Sequence, residues 1–91
     1  MTMTQMIKGK TAAGFAYEVD PEALNDMELL ESMAEVDSNP LLLPKVIRSV
    51  LGDAQKAAFY DHYRNENGKV PVEVVSAAFV EILSANNQGK N

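Results

Sequence analysis

The residue best suited to acid–base chemistry is His62, the only histidine in the chain. A histidine base normally acts with a nucleophile or with a partner that orients its ring. Asp61 precedes it, but adjacent residues of a helix point about 100° apart, so the two side chains do not face each other. We therefore expect a structural histidine on or near the surface, and no enzyme activity.

Ligands for a metal ion are scarce. The chain has no cysteine and one histidine, whereas zinc sites take three or four side chains of these kinds. Gly68 stands where the sixth residue of a calcium loop would be, in a loop running from Tyr63 to Val74. Such a loop requires Asp at its first position and Glu at its twelfth, and both are missing. The sequence predicts no metal and no cofactor.

Charge is unevenly distributed along the chain, whose net charge is −5. Residues 18–37 contain no Lys or Arg but eight acids: Glu18, Asp20, Glu22, Asp26, Glu28, Glu31, Glu35 and Asp37. Because nucleic-acid binding requires a basic surface, we expect no nucleic-acid partner and favour a basic protein partner. The alternative is a solvated helix face that only aids solubility.

Hydropathy points to a single domain without membrane contact. No apolar run is longer than four residues, far short of the roughly 20 residues of a membrane span. The polar N-terminus lacks the apolar region of a signal peptide, and the absence of cysteine suits a reducing compartment. These features predict a cytoplasmic protein.

An alternating pattern at the N-terminus predicts a β element. Phe15, Tyr17 and Val19 alternate with small or acidic residues, which is the period-two pattern of a strand with one apolar face. A lone strand needs a pairing partner. Either it forms a hairpin with residues near 5–8, or it pairs across two chains and makes a homo-oligomer.

The rest of the chain reads as helices separated by capping residues, prolines and glycines. Asp20-Pro21 is a helix-start signal, and Gly52 is expected to end a helix. The predicted segments are a short turn at 22–25 and four helices at 26–37, 44–51, 54–65 and 71–85. We expect a mainly α fold, a small four-helix domain with a short N-terminal β element. Its predicted parts are a flexible or hairpin arm (1–14), one helical domain (15–85) and a disordered tail (86–91).

The order of several short motifs carries a family resemblance over residues 15–83. They are Gly14-Phe15-Ala16-Tyr17-Glu18-Val19-Asp20, Asn25-Asp26-Met27-Glu28-Leu29-Leu30-Glu31, Leu43-Pro44-Lys45-Val46, Leu51-Gly52, Gln55-Lys56 and Asn67-Gly68-Lys69-Val70-Pro71. This order resembles the small tail assembly chaperones of long-tailed (siphovirus-type) phages, as found in phages and prophages of Gram-positive bacteria.

The resemblance implies a function without catalysis. Such chaperones bind the tape-measure protein, keep its long helical chain soluble and help recruit the tail-tube protein. They act in the cytoplasm of the bacterial host and are absent from the mature virion. Two alternatives stand beside this one: a small acidic adaptor or regulatory domain unrelated to phage tails, and an enzyme subunit or weak metal-binding module.

Residues for partner binding are predicted from charge and hydropathy, because the resemblance supplies no binding motif. A protein that covers a partner helix needs apolar contact residues and a charged surround that keeps the complex in solution. We place this surface on the acidic helix and beside it, at Glu28, Glu31, Glu35, Met27, Met33, Val46 and Val50. Because Met27 and Met33 have helical spacing, core packing is an equally good interpretation of them.

Overall fold

The protein is described by a computed structural model that covers residues 6–87, with side chains from 6 to 85. In chain order the elements are β1 (Ile7–Lys10), β2 (Ala16–Val19), α1 (Pro21–Leu24), α2 (Met27–Val36), α3 (Leu43–His62) and α4 (Val72–Asn87). A 3₁₀ turn at Pro40–Leu42 leads into α3. The predicted fold class, mainly α with a small N-terminal β element, is confirmed.

The N-terminal element is a hairpin. The strands β1 and β2 pair antiparallel, from Ile7 opposite Val19 to Lys10 opposite Ala16. The tight connection is closed by two backbone hydrogen bonds of 2.9 Å, Thr11 N–H to Phe15 C=O and Gly14 N–H to Thr11 C=O. The hairpin is as predicted, although its first strand is 7–10 rather than 5–8. The hairpin spans residues 7–19 and so includes the predicted boundary between residues 14 and 15.

Helix starts follow the capping chemistry of the sequence. The carboxylate of Asp20 accepts a hydrogen bond from Glu22 N–H at 2.9 Å, and that of Asp26 accepts one from Glu28 N–H at 3.0 Å. Each cap satisfies a backbone donor that has no partner within its own helix. The short α1 and the longer α2 therefore begin directly after Asp20 and Asp26.

The two helices predicted on either side of Gly52 are joined in α3. Gly52 has φ 83° and ψ 166°, which interrupts the helical backbone without a loop. Only glycine adopts this φ without a steric penalty from Cβ. The predicted break is therefore present, but as a kink. Pro44 lies in the first turn of α3, where its missing N–H costs no hydrogen bond.

The core lies between the hairpin, α3 and α4. It comprises Phe15, Tyr17, Val19, Leu29, Val46, Ile47, Val50, Leu51, Phe59, Val75, Ala78, Phe79, Ile82 and Leu83. Phe59 is completely buried, and its ring centroid lies 5.1 Å from that of Phe15. Ala57 and Ala58, which precede Phe59 on α3, are exposed.

The C-terminal helix is longer than predicted. It extends to Asn87, two residues beyond the predicted end of the helix, and residues 88–91 of the predicted tail lie outside the described residues. Over residues 6–87, no helix is both long and apolar enough to cross a membrane.

Candidate protein-binding surface

The orientation of α2 decides which of its apolar side chains are accessible. Leu29 is buried, and Met33 and Val36 pack partly buried against the core. Met27 and Leu30 point outward and are 68% and 57% exposed. The helix thus has two apolar sides, one that joins the core and one that is left in solvent.

The outward side of α2 lines a shallow depression of about 240 Å³. Its walls are Leu24, Asn25, Asp26, Met27, Leu29, Leu30, Met33 and Leu83. Exposed Met27 and Leu30 therefore lie beside half-buried Met33, and a partner side chain inserted there would also reach the edge of the core. Methionine side chains adapt their shape readily, which suits contact with varied apolar partners.

The predicted acidic residues lie on the same helix as this depression, although none of them lines it. Glu28, Glu31 and Glu35 are exposed, and their spacing of three and four residues places them along one side of α2. The ion pairs found in residues 6–85 involve Glu18, Asp53 and Asp61, so the three glutamates keep their charge available to a partner. We call Met27, Leu30, Met33, Glu28, Glu31 and Glu35 the α2 surface.

Two of the predicted contact residues do not belong to this surface. Val46 and Val50 are 1% and 5% exposed and lie in the core. Their apolar stripe on α3 belongs to the core cluster, so a partner could not reach them without unfolding the domain. We therefore remove Val46 and Val50 from the candidate surface.

A second apolar depression was missed by the sequence analysis. It has a volume of about 280 Å³ and lies between the 3₁₀ turn, α3 and the start of α4. We call it the α3–α4 groove; it is lined by Pro40, Leu41, Leu43, Pro44, Ile47, Tyr60, Val70, Val72 and Val75. Leu41 is 87% exposed and Val72 is 72% exposed. In the sequence, this groove is indicated by the three leucines at 41–43, which lie between Pro40 and Pro44.

Tyr60 forms one polar edge of the α3–α4 groove. Burial raises the pKa of its hydroxyl above the usual 10.0, because a low-polarity environment disfavours the charged phenolate. The ring therefore presents a neutral hydroxyl near neutral pH. Lys56 Nζ lies 4.8 Å from the centroid of the Tyr60 ring, a distance typical of a cation–π contact.

His62 holds the hairpin loop to α3. Its Nε2 donates a hydrogen bond to the carbonyl of Ala13 at 3.0 Å. Next to it, the hydroxyls of Tyr63 and Thr11 are hydrogen-bonded at 2.7 Å, and Ala12 N–H donates to the Glu81 carboxylate at 2.6 Å. His62 thus has the structural role expected from the sequence, as one of several contacts that fix the loop.

The outer edge of β2 is occupied by a side chain of α3. The amide of Gln55 accepts a hydrogen bond from Glu18 N–H at 2.7 Å and donates one to Glu18 C=O at 2.6 Å. These two hydrogen bonds take the place of those that a neighbouring strand would make with Glu18. A second chain could extend the sheet at this edge only by displacing Gln55.

The loop tested for calcium uses its polar side chains within itself. Asn65 Oδ1 accepts hydrogen bonds from the backbone N–H groups of Asn67 and Lys69 at 2.9 and 3.0 Å. Arg64 donates to the carbonyl of Gly68 at 2.9 Å. This is the geometry of an ordinary Asx-type turn. In the part of the chain that the structure describes, no cluster of three or more His, Asp or Glu side chains is arranged to hold a metal.

Comparison with protein-family models, curated proteins and solved structures finds no match to this chain.

Proposed function

We propose that this protein is a tail assembly chaperone of a long-tailed phage, which uses the α2 surface to bind the tape-measure protein and keep it soluble. The observation that carries the proposal is the exposed pair Met27 and Leu30 beside three glutamates without ion-pair partners among the described residues. The specific client comes from the order of sequence motifs.

The chemistry of the α2 surface fits a helical client with basic flanks. Burial of exposed leucine and methionine side chains stabilises a complex by about 1.5–3 kcal/mol each before the costs of association. Glu28, Glu31 and Glu35 attract Lys or Arg beside the apolar stripe of such a helix. Charge complementarity raises the association rate and selects the orientation of the client more than it raises affinity.

The wider role follows from the same resemblance. In the cytoplasm of the bacterial host, the chaperone covers apolar stripes of the tape-measure protein until tail-tube protein is recruited, and it is released before the virion is complete. Exposed apolar helices aggregate unless they are covered. The chaperone must therefore bind such helices reversibly through its own apolar side chains.

Co-expression tests the client. The tape-measure protein is produced with the wild-type chain, with the Met27→Ser/Leu30→Ser variant, or alone, and the soluble fraction is measured. We expect the wild type to keep the client soluble and the variant to lose most of this effect. Val80→Ser is the matched control, because Val80 is 58% exposed on α4 and lines neither the α2 depression nor the α3–α4 groove. A client that is equally insoluble with and without the wild type would refute the chaperone function.

A charge series tests the contribution of the glutamates. Replacing Glu28, Glu31 and Glu35 with Gln should slow association with the client and reduce its dependence on salt. The control replaces three other exposed glutamates, Glu22, Glu66 and Glu73, with Gln. If both triple variants behave alike, the acidic side of α2 serves solubility alone. If the α2 surface binds basic helices but leaves the tape-measure protein insoluble, an adaptor domain unrelated to phage tails is the better description.

A further inference from the structure

The α3–α4 groove is an apolar feature that the proposed function does not use. It shares no lining residue with the depression on α2. Leu41 and Val72 extend into solvent from the 3₁₀ turn and from the first turn of α4, while Ile47 and Val75 form a buried floor. Apolar side chains exposed this far next to a concave floor are typical of a contact site for another chain.

The shape of the groove favours a segment of polypeptide over a small molecule. Its walls are only partly formed, because Leu41 and Val72 are mostly in solvent. Small-molecule sites normally enclose most of the ligand surface and position a few polar groups around it. An amphipathic helix placed between Leu41 and Val72 would cover both side chains and rest its apolar stripe on the floor.

No charged side chain of the described residues lines the groove itself, but two lysines lie beside lining residues. Lys56 lies over the ring of Tyr60, and exposed Lys69 precedes Val70 of the groove wall. Arg48 contributes less, because its Nε is 3.9 Å from the carboxylate of Asp53. The carboxylate of Glu73 lies on another side of α4, where it lines a different depression with Val74 and Ala77.

We propose that the α3–α4 groove is a second docking site, which takes an acidic amphipathic helix of a partner protein. The apolar stripe of that helix is buried against Leu41, Val72 and the floor of the groove. Asp or Glu on its flanks pairs with Lys56 and Lys69. The α2 surface, with its glutamates, selects basic helices. Two separate sites of opposite charge allow the protein to hold two partners at once and to distinguish between them.

Peptide binding separates this site from the α2 surface. The probes are labelled synthetic helices of about 16 residues, long enough for four turns, with leucines at helical spacing and either glutamates or lysines on the flanks. Fluorescence anisotropy is measured with the wild type, with Leu41→Asp and with Leu30→Asp. Val80→Asp is the control for adding a charge at an exposed apolar position of a helix.

We expect the two variants to have opposite effects on the binding of the two probes. Leu41→Asp should weaken binding of the acidic probe at least tenfold and leave the basic probe unchanged, whereas Leu30→Asp should do the reverse. The Lys56→Gln/Lys69→Gln variant should reduce the salt dependence of acidic-probe binding. Its control is Lys10→Gln/Lys45→Gln, because Lys10 lies on β1 and Lys45 is two residues from Ile47, on another side of α3.

Three results would overturn the proposal. The first is no binding of the acidic probe, and the second is equal binding to the wild type and to Leu41→Asp. The third is self-association of the wild type in sedimentation velocity that Leu41→Asp abolishes, because the occupant would then be a second copy of this chain. Failure of tape-measure solubilisation alone leaves this site unaffected, since that function uses the α2 surface.

Discussion

The apolar stripes of α2 and α4 look alike in sequence, but they have different roles in the structure. In α4, Val75, Phe79 and Ile82 are buried against the rest of the core. In α2, Leu29 is the only buried residue, and Met27 and Leu30 remain in solvent. A stripe enclosed by neighbours stabilises the fold, whereas a stripe that its own fold leaves uncovered is available for binding. The stripe of α4 therefore stabilises the fold, whereas the exposed side of α2 is available for partner contact.

The largest effect should come from the centre of the core. Phe59→Ala removes a fully buried ring that contacts Phe15 and Tyr63, and we expect the free energy of unfolding to fall by about 3–5 kcal/mol. Urea unfolding followed by circular dichroism measures the change. Phe59→Leu, which keeps most of the apolar volume, should lose clearly less. A loss below about 1 kcal/mol for the alanine variant would mean that the α3–α4 side is not the stabilising region.

The kink in α3 should give the next effect. Gly52→Ala places a Cβ on a backbone with φ 83°, which costs about 1–2 kcal/mol through local backbone strain. No atom lies within 4 Å of the new Cβ, so a steric clash adds nothing to this cost. Thermal unfolding measures it, with Ala54→Gly as a comparison that lowers helix propensity without a φ requirement. A stabilised Gly52→Ala variant would show that α3 is a continuous helix.

The anchor of the hairpin loop should contribute about 1 kcal/mol. Tyr63→Phe removes the hydroxyl that is hydrogen-bonded to Thr11 at 2.7 Å and leaves buried Thr11 with its weaker remaining contacts. Urea unfolding should show the loss. Tyr60→Phe is the matched control, because no side-chain hydrogen bond is found for the Tyr60 hydroxyl among the described residues. Equal losses in both variants would show that the contact with Thr11 adds nothing.

The smallest effect on stability is expected at the α2 surface. Leu30→Ser changes a side chain that is 57% exposed, so the free energy of unfolding should shift by no more than about 0.5 kcal/mol. Client binding by the same variant should nevertheless be strongly reduced. Hydrogen exchange should also show faster opening of α2 than of α3, which has five buried residues. A variant that loses stability and binding together would place Leu30 in the core and remove the distinction between the two stripes.

Much of the local structure was predictable because it depends on neighbouring residues. Asp20 and Asp26 start helices through side-chain caps, Gly52 breaks a helix through its φ, and the alternation from Phe15 to Val19 makes a strand with one buried face. The N-terminal hairpin was one of the pairings that the sequence left open, since a short strand needs a partner. These features account for the correct fold class.

The sequence by itself determined where the helices and strands lie and where the negative charge is concentrated. Only the tertiary structure decided which apolar side chains are covered. A helix such as α2 has two apolar sides, and residues distant in sequence determine which of them is buried. Packing against the core buried Leu29 and exposed Met27 and Leu30. The same contacts buried Val46 and Val50 and left the α3–α4 groove open. The apolar surface of a small domain covers only part of the apolar side chains on its helices.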